Sequence, residues 1–143
     1  MRMDMMSVLC AMAAGLFTTI ESTINARLGR DVTPSIATLH SLTTGMVFIL
    51  LISLFKGSLG RYARVIHVSP LWLIGGIFGA LIIYFSSKAI PVLGVSTALI
   101  FILAAQLISG YLVDIFVGGA EVNVRKAVGL VIFLAGAYLF IRE

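Results

Sequence analysis

Apolar residues dominate this chain in five runs, separated by short clusters of charge, proline or glycine. The first spans roughly Met5–Asn25, the second Pro34–Phe55 and the third about Pro70–Ala89; the fourth covers about Val92–Val117 and the fifth Val122–Ile141. A membrane-spanning helix needs about 20 mainly apolar residues, and each run meets that length. Pro34 and Pro70 suit first helical turns, where a missing N–H leaves nothing unpaired. Without Pro91 and Gly94 the apolar sequence would continue from Leu71 to Val117, too long for one span, so a tight turn near Lys88–Gly94 is predicted. The fold class is therefore all-α: a polytopic membrane helix bundle of about five transmembrane helices with short loops, forming one domain over residues 1–143. The longest loop, Lys56–Ser69, leaves no room for a soluble domain, which confines any chemistry to the membrane or its edge.

Composition points the same way. Of the 143 residues 60% are hydrophobic and 11% charged, against roughly 25% charged in soluble domains. The net charge of +4 lies mainly in loops, where it speaks to topology and anionic headgroups. No basic stripe with interleaved aromatics supports nucleic-acid binding. The single cysteine, Cys10, cannot form an internal disulfide and has no metal-ligand companions. The apolar run behind Arg2 continues to Arg27, so it reads as a retained first span rather than a cleaved signal. Five spans place Arg2, Lys56, Arg61, Arg64, Arg125 and Lys126 on one side, and Arg27, Arg30, Lys88 and Arg142 on the other. This bias favours a cytoplasmic N-terminus. It is small enough to allow insertion in both orientations, with one orientation set by the second loop as the preferred reading.

The polar residues within the spans are the candidates for function. Glu21 stands out, because an ionisable carboxyl at bilayer depth costs on the order of 3 kcal/mol and usually faces a bundle interior or a wet cavity. By helix rise it lies roughly 20 Å from Ser7 and roughly 9 Å from Arg27. Thr18, Glu21, Ser22 and Asn25 fall at spacings of three and four and are expected on one face. Such a carboxyl can exchange a proton for a cationic substrate; the competing roles are a packing hydrogen bond or snorkelling towards Arg27. On the second helix His40, Ser41, Thr44 and Gly45 form a polar patch. His40 is a candidate relay partner for Glu21, although beside Ser and Thr it reads first as an interhelical hydrogen-bonder. Gly75 and Gly79 give the third helix a close-packing face, and Trp72 fits an interfacial anchor. Tyr84 and Gln106 are polar enough to line a pathway, while Asp114 divides evenly between structural anchor and pathway residue. The fifth helix, with Gly129 and Gly136, reads as a packing or dimerisation element. There is no Walker motif, zincin motif or glycine-rich nucleotide loop. An ATP-driven pump is thereby excluded within this chain, a self-contained enzyme is not expected, and no cofactor or metal is expected.

The segment Asn25-Ala26-Arg27-Leu28-Gly29-Arg30 resembles the end of the first helix in the small YdcZ-type, single EamA-like-repeat branch of the drug/metabolite transporter superfamily. The resemblance continues through Ser41 and Gly45, the Pro70-Leu71-Trp72 entry, the Gly75/Gly76/Gly79 cluster, the Gln106–Asp114 stretch and the Gly129–Gly136 helix. It covers most of the chain through order and spacing rather than one specific motif. One departure is that members of the branch tend to carry glutamine where this chain has Glu21. Four-helix small multidrug resistance relatives use a first-helix glutamate for proton coupling. The resemblance implies a small-molecule transporter made of one five-helix repeat, which needs a second copy: a homodimer or a paralogous heterodimer, with an antiparallel arrangement among the options.

The expected function is thus secondary active transport, as an exporter, in a bacterial inner membrane, with a small-molecule substrate. Glu21 would hold a proton or a cation, and Thr18, Asn25, His40, Tyr84 and Gln106 would line the pathway. Two alternatives are a non-transporting accessory or assembly subunit of a membrane complex, and a lipid-carrier flippase.

Overall fold

The computed structural model describes residues 4–142. The chain is all-α, with no strand among the described residues. The elements are α1 (Met5–Asp31), α2 (Pro34–Phe55), a 3-10 helix (Leu59–His67), α3 (Pro70–Leu73), α4 (Gly75–Leu93), α5 (Val95–Phe116) and α6 (Val124–Ile141). Among the described residues five helical segments are long and apolar enough to cross a membrane, with Pro70–Leu93 counting as one. Arg2, which enters the charge balance above, lies outside the described residues.

Residues up to Val92 form one compact unit and those from Leu93 a second. In the first, α1 begins at Asp4, whose carboxylate accepts hydrogen bonds from Ser7 N and Oγ at 3.3 and 3.0 Å. The helix runs past the expected limit at Asn25 to Asp31. Nothing local stops it there: Arg27 and Asp31 form an i,i+4 pair at 3.8 Å, and helical hydrogen bonding continues wherever no residue forbids it. The stop comes from Pro34, which disfavours helical backbone in the residue before it. Thr33 is accordingly extended (φ −167°, ψ 156°) and caps α2 by accepting from Ile36 N at 3.2 Å. A link of two residues therefore makes α1 and α2 an antiparallel hairpin.

Apart from Ile90, the buried residues of this unit are small or polar. They are Ser22, Asn25, Ala26 and Gly29 on α1, Ala37 and Thr38 on α2, and Ser86 and Ser87 on α4. The spacing on α1 is one helical stripe. Small side chains let helix backbones approach closely where lipid offers no hydrophobic drive for association. The closest approach is at Gly29, where an added Cβ would lie 3.5 Å from both Pro34 Cα and Ser87 Cβ. Gly75 and Gly79, the expected packing face, have open space beside them instead. Arg30 reaches across to α4, donating from Nη2 to the Pro91 carbonyl at 3.2 Å. A cation at a helix C-terminus is favoured both by the unpaired carbonyls and by the macrodipole.

The third span also departs from its expected limits. It bends at Ile74, where Ile77 N donates to Ile74 O at 2.9 Å and Gly75-Gly76 follow, a pair that commonly permits a kink. It then continues through Pro91 to Leu93. Proline near the end of a helix removes only the bond to the carbonyl four residues back, and the last turn survives that loss. The break occurs at Gly94, with φ 80° and ψ 160°, a conformation that side chains with a Cβ strongly resist. The expected tight turn thus contracts to one glycine. In the second unit the Asp114 carboxylate pairs with Lys126 Nζ at 3.5 Å and its carbonyl accepts from Ala120 N at 2.9 Å.

Candidate functional site

The α1–α2 hairpin sets two polar stretches level with each other. Because the helices run antiparallel from a tight link, Ser41 comes to lie between Asn25 and Glu21. Asn25 Nδ2 donates to Ser41 Oγ at 3.1 Å, and Ser41 Oγ donates to Glu21 Oε1 at 3.4 Å. Three side chains from two helices thus form one hydrogen-bonded string. Asn25 is buried, Ser41 half-buried and Glu21 exposed, so the string leads from the packed interface to an open flank.

That flank is a groove of about 1050 Å³ along α1 and α2. Glu21, Asn25, His40 and Ser41 supply its polar wall, with Thr44 and Gly45 further along α2. Phe17, Ile20, Ile24 and Phe48 supply apolar walls. The Arg27–Asp31 pair stands where α1 ends. Within that lining Glu21 is a carboxylate outside any ion pair among the described residues, set beside apolar walls, and apolar lining with a few placed polar groups is the ordinary composition of small-molecule sites.

Glu21 itself is not neutralised by a base. The two ion pairs among the described residues are Arg27–Asp31 and Lys126–Asp114. Arg27, the candidate partner for a snorkelling Glu21, is therefore engaged elsewhere. Adjacent helix positions differ by about 100°, which explains why Ser22 is in the packed stripe while Glu21 sits at its edge. The single face expected for Thr18, Glu21, Ser22 and Asn25 is divided in this way between interface and groove.

The other candidate residues fall as follows. His40 opens on the groove, and no side-chain hydrogen bond ties it across helices among the described residues; that role belongs to Ser41. Thr18 is exposed, lies outside the groove lining, and donates to its own helix at Ala14 O, at 2.9 Å. Tyr84 is half-buried on α4, accepts from Lys88 Nζ at 3.4 Å and has that ammonium 5.2 Å from its ring centre. Gln106 belongs to the second unit, where it lines a smaller cavity of about 320 Å³ with Gly110, Tyr111, Asp114 and Lys126. Of the six candidates, Glu21, Asn25 and His40 share one groove. Ser41, passed over as a site residue, joins Glu21 to Asn25; its place in the polar patch of the second helix was the available signal. Among the described residues no cluster of three or more His, Cys, Asp or Glu could hold a metal.

Residues 6–139 match the model of the family described as "Putative inner membrane exporter, YdcZ". The chain is 27% identical over 137 residues to the inner membrane protein YdcZ of Escherichia coli strain K12, covering 92% of this chain and 91% of that one. No solved structure matches.

Proposed function

Because the chain belongs to the YdcZ inner membrane exporter family, we propose that it exports small organic cations across the inner membrane by exchanging them for protons at Glu21, as a pair of five-helix repeats. Membership of an exporter family covering residues 6–139 supports transport rather than self-contained enzymology. The observation that carries the finer reading is the Glu21 carboxylate opening on a large groove with a hydroxyl, not a base, as its partner.

A serine hydroxyl has one hydrogen and two lone pairs. Asn25 occupies one lone pair. While Glu21 is ionised, Ser41 gives its hydrogen to the carboxylate. Once Glu21 is protonated on its other oxygen, Oε1 remains a carbonyl acceptor and still receives the hydrogen of Ser41. The string therefore stays satisfied in both protonation states, and neither state leaves a buried polar group orphaned. A proton and a substrate cation compete for the same charge. Loss of one then permits gain of the other, which is the minimal requirement for antiport.

A groove on one flank of a hairpin is open on its outer side. Phe17, Ile24 and Phe48 are each more than half exposed. A second repeat laid against this flank would close the site, in keeping with transport sites at repeat interfaces. The test uses proteoliposomes with an acidic lumen. Wild-type protein is expected to accumulate the lipophilic cation tetraphenylphosphonium until a protonophore collapses the gradient, and Glu21→Gln to remove that accumulation while the protein stays folded. Full-rate accumulation by the glutamine variant would overturn the assignment.

A further inference from the structure

The connection between α2 and α3 is not an irregular loop. Leu59–His67 forms nine residues of 3-10 helix, long for a conformation whose runs seldom exceed three or four. Its sequence has the same period as its geometry. Arg61, Arg64 and His67 recur every three residues, as do Leu59, Tyr62 and Val65, and Gly60, Ala63 and Ile66. With three residues per turn, side chains at i and i+3 eclipse one another. The basic groups therefore stack in a straight ridge, with about 6 Å of helix rise between successive members. An α-helix would fan the same three over roughly 120°.

All three basic side chains are exposed. The surrounding sequence supplies no neutralising acid, with no Asp or Glu between Asp31 and Asp114. The ion pairs among the described residues involve neither arginine. Lys56 adds a further uncompensated charge at the end of α2. The two remaining rows are apolar, and Tyr62 and Ile66 are 75% and 79% exposed. Phe55 and Trp72, on the helices to either side, are 90% and 76% exposed. Both flanking segments are long and apolar enough to span, so the chain's connectivity holds the 3-10 helix at the membrane edge.

We propose that the Arg61/Arg64/His67 ridge is a binding site for the headgroups of anionic phospholipids. Arg61 and Arg64 would engage phosphodiester oxygens, which match the guanidinium fork, and His67 would add a third donor. The Tyr62 and Ile66 rows would lie against the boundary of headgroups and acyl chains, as the apolar face of an interfacial helix does. Apolar rows on two of three faces favour a lipid surface over an acidic segment of a soluble protein. The ridge does not line the groove at Glu21, so this inference stands apart from the transport reading.

The test titrates the full chain in dodecyl maltoside with dioleoylphosphatidylglycerol and follows the fluorescence of Trp72, the sole tryptophan. A saturable change is expected that dioleoylphosphatidylcholine does not produce. R61Q/R64Q is expected to weaken the apparent affinity about 25-fold, from about fivefold per arginine near an anionic surface. R61K/R64K keeps the charge but loses the fork, and is expected to bind more tightly than R61Q/R64Q and less tightly than the wild type. Wild-type binding is expected to weaken as NaCl rises from about 50 to about 500 mM, because exposed charges are screened. Salt-independent binding would overturn the proposal, and this arm holds even where the glutamine variant fails to fold. It would equally be overturned by unchanged affinity in a folded R61Q/R64Q, by equal response to the zwitterionic lipid, or by full competition from soluble glycerol 1-phosphate, which would mark a free-phosphoester site.

Discussion

Ser41 donates to Glu21 across the α1–α2 interface, Oγ to Oε1 at 3.4 Å, and holds that carboxylate in place without neutralising it. A basic partner would have fixed the charge and left little for a substrate cation to gain. A hydroxyl orients the carboxylate while leaving its charge available. Asn25 fixes the hydroxyl in turn, at 3.1 Å, and its own burial in the packed stripe makes the string a feature of the hairpin and not of a mobile side chain.

Ser41→Ala removes the middle of this string. A hydrogen bond to a charged group contributes about 1.5–3 kcal/mol, so cation affinity should fall roughly tenfold or more through loss of orientation. Asn25 then faces the interface without its acceptor, so the thermal midpoint in detergent should also drop. Ser41→Thr, which keeps the hydroxyl, should recover most of the affinity. Binding measured by equilibrium dialysis with tetraphenylphosphonium, beside a thermal melt, checks both effects.

In the proposed exchange a proton and a cation compete for one carboxylate, which fixes the sign of the expected pH dependence. Protonation occupies the site, so apparent cation affinity should weaken as pH falls and strengthen as it rises, by linkage between the two ligands. In Glu21→Gln this pH dependence should flatten. Affinity followed over a pH series in both proteins reads the difference, and a wild-type affinity that rises on acidification would contradict the exchange.

Much of the fold was legible because its determinants are local. Five apolar runs of spanning length, with Pro34 and Pro70 at first turns, needed no tertiary information. What was not legible depended on partners distant in sequence or on subtle backbone chemistry. Gly29 gave no sign of being the close-approach glycine because its neighbour, Ser87, is 58 residues away; Gly75 and Gly79 carried the stronger motif and have nothing beside them. Pro91 looked like the break, yet a helix can carry a proline in its last turn, and Gly94 supplies the positive φ. The three-residue period of Leu59–His67 was present in the sequence, but it becomes an element only in 3-10 geometry. That Glu21, Asn25 and His40 are polar positions within spans was plain from the sequence, whereas their sharing one groove, and the place of Ser41 between Asn25 and Glu21, required the register of the hairpin.

The α1–α4 contact makes a prediction of opposite sign to the usual effect of core substitutions. Ser87 Oγ is buried without a hydrogen-bond partner among the described residues, and an unsatisfied buried hydroxyl costs about 1–3 kcal/mol. Ser87→Ala should therefore leave stability unchanged or raise it by about 1 kcal/mol. Gly29→Ala should be tolerated as well, since the new Cβ meets its neighbours at ordinary contact distance and gains about 1 kcal/mol of helix propensity. Gly29→Leu should destabilise strongly by forcing α1 from α4. Unfolding free energies from steric trapping in detergent would rank the three.

Gly94→Ala should destabilise by about 1–2 kcal/mol, because a Cβ at φ 80° is strained and no helical alternative exists without merging two spans. Gly119, also at positive φ, should behave similarly when changed to alanine. Gly57→Asn should be nearly neutral, since asparagine tolerates the left-handed region that glycine occupies there. Thermal melts of the three variants check this order.

Proton release on cation binding is the most direct test of the exchange at Glu21. Purified protein in weakly buffered detergent is mixed with tetraphenylphosphonium while pH is followed. With the protein poised at a pH where Glu21 is protonated, each cation bound should release close to one proton, and Glu21→Gln should release none while keeping its fold. Release of equal size from the glutamine variant, or cation binding by the wild type with no proton leaving at any pH, would contradict the account.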